Sequence, residues 1–171
     1  PSATIPACPP GERHAVALYQ TAEYSRGLEL LQQIPAGQQP ALELLRYGIL
    51  SHLKLGKPEE AWKLYTKLVA DNRPDEPAVL RDIARSFIVT RVRDTQEHIR
   101  IAAYTALAEM GESDTLPILE DGLLDSSALV RARAAEAIGR AGLAGRSSAL
   151  KRALRDEAPG VRIAAINALS D

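Results

Sequence analysis

Aromatic residues make up only 4% of this 171-residue chain, cysteine occurs once, and no long apolar run is present. With Trp62, Phe87 and five tyrosines as the only aromatics, a core has to be filled by small aliphatic side chains, which suits packed helices better than sheets. The single thiol, Cys8, excludes a disulfide framework and a cysteine-rich zinc site. The apolar stretches, such as the one around Ile138 and Ala141, are broken by charge well short of the roughly 20 residues of a membrane span. Nor is there an excess of one charge. Twenty-one Lys+Arg against 22 Asp+Glu leave a net charge of -1, which disfavours a protein held mainly by phosphates. What is there, 46% hydrophobic and 25% charged residues, is an ordinary globular balance and not that of a disordered tail.

The first stretch, residues 1–11, carries Pro1, Pro6, Pro9 and Pro10 without periodicity and reads as a flexible arm. The compartment is open between the cytoplasm and, had a signal peptide preceded residue 1, the periplasm.

Internal repeats organise the rest. Shifting the C-terminal half by 31 residues aligns Asp94, Asp125 and Asp156, then Arg100, Arg131 and Arg162, then Ala103, Ala134 and Ala165. It also aligns Gly111 with Gly142. Within a copy, Val130, Ala134, Ala137, Ile138 and Ala141 follow the spacing of a helix with one buried face. A shorter helix from about Thr115 to Leu124 precedes it, so each unit is two antiparallel helices. Asp125 in the turn is expected to cap the second helix, and glycine to stop it.

The N-terminal half follows a period of 34 residues, pairing Ala22 with Gly56, Gly27 with Ala61 and Leu31 with Tyr65. Helix Ala41 to Leu55 is expected to stop at Gly56. Pro58 starts the next helix, where its missing N–H is harmless, and Pro74 closes the unit.

At "DSSALVRARAAEAIGRAG" and "DEAPGVRIAAINALSD" the chain resembles the HEAT-like repeats named after phycobilisome lyases. At "LGKPEEAWKLYTKL" it resembles a tetratricopeptide repeat. Together the resemblances are to bacterial α-solenoid proteins. They imply an all-α fold, one continuous right-handed α-α superhelix of about five helical hairpins. Residues 12–74 would be tetratricopeptide-like and residues 75–171 HEAT-like.

Little in the chain points to catalysis. His14, His52 and His98 are scattered without metal-ligand spacing. Cys8 has no basic neighbour closer than Arg13 to activate it. No nucleophile elbow, phosphate loop or dinucleotide fingerprint occurs, so no cofactor or metal is expected. On the tetratricopeptide-like helix, Glu43, Arg46, Leu50, Leu53 and Lys54 lack the Lys and Asn set that the resemblance would require of a carboxylate clamp.

Two features concern surfaces. The Asp94/Arg100, Asp125/Arg131 and Asp156/Arg162 set is expected to be structural, each Arg fork bridging to the Asp of the neighbouring unit. Charge is divided, net -6 from Glu97 to Asp125 and net +5 from Arg131 to Arg162. On a helical wheel the second helices present Ile101, Tyr104 and Thr105, then Ala132, Ala135, Glu136 and Gly139, then Ile163, Ile166 and Asn167. In HEAT-like solenoids such helices line the concave side, so the resemblance implies an apolar groove for a protein or peptide. The competing reading is that this face meets a further unit or another copy, with end-to-end self-association through the last repeat. The expected function is a non-enzymatic interaction scaffold. The alternatives are a bilin lyase or isomerase subunit, implied by the repeat family's name, and nucleic-acid binding through the basic patch.

Overall fold

The structure is a computed structural model describing residues 10–35, 40–70 and 76–170. Cys8, most of the N-terminal arm and Pro74 lie outside the described residues. The helices are α1 (Pro10–Gln20), α2 (Tyr24–Gln32), α3 (Leu42–Lys54), α4 (Pro58–Ala70), α5 (Pro77–Arg91), α6 (Glu97–Met110), α7 (Leu116–Gly122), α8 (Ala128–Arg140), α9 (Ser148–Ala153) and α10 (Pro159–Ser170). Short 3-10 turns at Ser113–Thr115 and Ala144–Arg146 lead into α7 and α9, and no strand occurs among the described residues. The fold class is all-α, and within the second unit successive helical hairpins stack as in a solenoid.

Local chemistry sets the ends of these helices. Pro58 opens α4 with Glu59 and Glu60 behind it, where a missing N–H is harmless and negative charge meets the helix dipole. Gly56, after α3, has φ 67°, and Ala22, 34 residues earlier, has φ 60°. The 34-residue alignment thus joins equivalent left-handed stops, one of them occupied at some cost by a residue with a Cβ. Gly111 and Gly142 end α6 and α8 with φ 63° and 69°. The turn aspartates do not cap as expected. Ser127 is the N-cap of α8 and accepts from Leu129 and Val130. Asp125 instead accepts from the Ser127 N–H at 2.8 Å, folding the turn two residues ahead of it. Asp94 and Asp156 do the same for Gln96 and Ala158, each at 2.9 Å.

The chain forms two compact units, Pro1–Phe87 and Ile88–Asp171. The sequence points to a boundary at 74/75; the two compact units divide later, inside α5, which gives Val79 and Ile83 to the first core while Ile88 and Val89 pack on the second. In the first unit α3 lies between α1, α2 and α4, burying Leu45 and Ile49 against Ala61, Tyr65 and Leu68. In the second, α8 packs against α6, α7 and α10, with Val130, Ala134 and Ile138 at 0% exposure.

Small residues let these helices approach. A Cβ on Gly139 would come within 2.9 Å of the Ala168 backbone and 2.7 Å of its methyl. At Gly27 it would meet Leu18 and Ser51 at 3.8 and 3.9 Å, ordinary van der Waals distances. We expect Gly27→Ala to raise stability by about 0.5–1 kcal/mol through lower backbone entropy. Gly139→Ala should lower it by about 1–3 kcal/mol through overpacking. Urea denaturation of the two variants checks both signs.

Candidate functional site

The second unit is built on one repeated joint. Arg100 donates through Nε and Nη2 to both carboxylate oxygens of Asp125, at 2.8 and 3.0 Å. Arg131 repeats this on Asp156 at 2.9 and 3.0 Å and also reaches Glu157 at 3.2 Å. Each arginine turns its remaining Nη1 back to the carbonyl of the aspartate six residues earlier. Arg100 to Asp94, Arg131 to Asp125 and Arg162 to Asp156 are all 2.9 Å. The six-residue spacing therefore places one guanidinium across its own turn and the next. This backward bond is not evident from the sequence, although the invariant spacing is its trace.

These pairs are mostly buried. The side chains of Arg131 and Asp156 are 10% and 13% exposed. Burial pushes the Asp125 carboxyl up, but Arg100, the Ser127 N–H and Arg131 outweigh it and hold it below the ordinary range. Asp156 is held down chiefly by Arg131.

The last arginine differs. Arg162 bonds the carbonyls of Asp156 and Glu157, and among the described residues no carboxylate meets its Nε and Nη2.

The face expected as a groove is mostly an interior. Tyr104 and Ala135 are 3% and 0% exposed, and Ile101, Thr105, Ala132 and Glu136 are half-buried. Gly139 faces Ala168 of α10. The reason is geometric: second helices lie side by side, so the flank that looks free on an isolated helical wheel is covered by the following copy. In the last copy the same positions are open. Ile163 and Ile166 are 59% and 52% exposed, and Asn167 is exposed. The basic patch is partly neutralised as well, since Arg131, Arg133 and Arg140 pair with Asp156, Glu136 and Glu109. In the first unit Arg46 lies 3.5 Å from Glu76.

One open cleft of about 740 Å³ lies in the second unit. It is lined by Val89 and Val92, by Asp94, Arg100 and Tyr104, and by Ile118, Asp121 and Asp125. Tyr104 rests on Gly122, where a Cβ would lie 2.6 Å from its ring. Its hydroxyl pKa is pushed up to about 12, first by burial and then by Asp125 and Asp121. It is therefore a neutral hydrogen-bonding group at physiological pH. No group of three or more His, Cys, Asp or Glu is arranged to hold a metal among the described residues.

Residues 80–139 match the HEAT repeat family model. That segment runs from within α5 to near the end of α8, spanning the first Arg–Asp joint. The chain thus carries HEAT-like helical repeats, and α9 and α10 extend the same 31-residue pattern beyond the matched residues. No curated protein matches the chain. Among the described residues no helix is long and apolar enough to cross a membrane.

Arg131→Ala leaves the Asp156 carboxylate without its fork and should lower stability by roughly 2 kcal/mol. Arg162→Ala, which forfeits carbonyl bonds only, should lower it by clearly less in the same urea denaturation. Because the folded carboxyls of Asp125 and Asp156 are depressed, their contribution is complete above the unfolded pKa of about 3.9. It fades as pH falls from there through the folded values. An acid titration of Arg131→Ala should therefore show a shallower loss of stability than that of the parent chain.

Proposed function

We propose that this chain is a non-enzymatic protein-interaction scaffold, a tetratricopeptide-like unit followed by HEAT-like repeats, whose exposed α10 flank receives a further α-helical hairpin. The observation that carries the proposal is the open last copy of a twice-filled joint. At Arg100 and Arg131 the fork holds the next turn's aspartate, and the helix behind it covers the flank at Tyr104 and Ala135. At Arg162 the fork lacks a carboxylate among the described residues, and Ile163 and Ile166 stand exposed beside it. Burying two isoleucines is favourable by about 1.5–3 kcal/mol each. A fork-to-carboxylate pair adds directional hydrogen bonds that fix register. The fitting partner surface is a hairpin with an aspartate in its turn and small residues on the following helix.

The hollow of about 290 Å³ lined by Trp62, Leu80, Ile83, Ala84 and Phe87 gives the first unit a second apolar surface. Trp62 is 43% exposed there and stacks on Tyr65.

The test is affinity capture from a lysate of the source organism with the parent chain and with an Ile163→Asp/Ile166→Asp variant. The substitutions fall on exposed positions, so helical circular dichroism should be unchanged. The expected result is a protein retained by the parent chain and depleted at least tenfold on the variant. Identical recoveries from two equally folded chains would remove the proposal.

A further inference from the structure

The cleft beside Tyr104 contains polar groups that the stacking of helices leaves unused. Arg100 and Asp125 satisfy each other, and Asp94 is taken by Arg91 and the Gln96 N–H. Asp121 is different. Its side chain is 69% exposed, and Arg93 approaches it only to 4.0 Å, with its own side chain 86% exposed. A pair so exposed contributes little and is readily exchanged. The second unused group is the Tyr104 hydroxyl. The residue is 3% exposed and lines the cleft, yet among the described residues no hydrogen bond reaches its oxygen. The hydroxyl oxygen is not enclosed in the protein but open to the cleft, where it is available to a ligand atom.

Charge and shape restrict what fits. The only basic residues on the cleft are Arg93 and the committed Arg100, against Asp94, Asp121 and Asp125. The segment from Glu97 to Asp125 carries net charge -6, and such a field concentrates cations. Val89, Val92 and Ile118 supply apolar wall, on which the methylene stem of a long basic side chain packs while its head stays polar. The volume of about 740 Å³ is in the range of ligand sites and exceeds the needs of a bare cation.

We propose that this cleft binds a peptide segment through an arginine or lysine side chain, its stem on Val89 and Ile118 and its cationic head bonded to the Asp121 carboxylate and the Tyr104 oxygen. Arg93 is displaced from Asp121 on binding. The site is independent of the α10 edge, so it stands or falls apart from the partner reading above.

The experiment is a chemical-shift titration of the full chain with the blocked tripeptide acetyl-Leu-Arg-Leu-amide. The controls are the same peptide with citrulline, which keeps the shape and removes the charge, and with glutamate. Saturable shifts are expected at the backbone amides of Asp121, Leu123 and Ser126, weaker at high salt and absent with either control. Asp121→Asn, at an exposed position, should weaken binding about tenfold. Tyr104→Phe, which keeps the ring on Gly122, should weaken it severalfold. The proposal is overturned by the absence of saturable shifts, by equal shifts from the citrulline peptide, by shifts confined to other elements, or by full affinity in both variants.

Discussion

The second unit depends on a guanidinium that joins two turns. Arg131 reaches back to the carbonyl of Asp125 and forward to the carboxylate of Asp156. The backward bond fixes the arginine within its own repeat, and the forward fork fixes the next repeat's position on it. Neither a lysine nor a shorter cation supplies a planar set of donors spanning both. With the turns held, α8 lies close enough to α10 for Gly139 to meet the Ala168 backbone, and the alanine-rich composition follows as a packing requirement. The paucity of aromatics has the same origin, because large rings would hold adjacent helices apart. Within the second unit Tyr104 is the exception, and its ring is accommodated over Gly122.

Among the described residues the joint buries the same flank of α6 and α8, at Tyr104 and Ala135, and leaves that of α10 exposed, with Ile166 at 52%. It also explains why the proposed partner surface on α10 resembles the interior of the unit more than an ordinary protein surface. Repeat proteins commonly derive stability from such nearest-neighbour interfaces, so an exposed repeat flank and an interaction surface are physically alike. The cleft at Tyr104 has a different character, since its unused groups are polar and its field is negative.

Much of this was legible in the sequence. The 31-residue period located the α6, α8 and α10 helices, and the glycines at 111 and 142 marked their left-handed stops. The spacing of Asp94, Arg100 and Asp125 anticipated the residues that now lie within hydrogen-bonding distance. What was not legible depended on neighbours. A helical wheel shows which flank is apolar and not which flank the following copy covers, so Tyr104, Ala135 and Gly139 read as an open groove. The cap was misassigned because Gln96, Ser127 and Ala158 differ at the equivalent position, whereas the aspartates before them do not. The division between cores falls inside α5, where no proline or glycine marks it. Nothing in the local sequence around Tyr104 distinguishes its unpaired hydroxyl, which emerges only when α6 and α7 are brought together.

The central claim is that the forward fork, and not burial of each residue separately, ties successive repeats. A double-mutant cycle of Arg131→Ala and Asp156→Ala, with stabilities from urea denaturation, measures it directly. Coupling of about 1–3 kcal/mol between the two substitutions is predicted. Additive effects, with coupling indistinguishable from zero, would contradict the account.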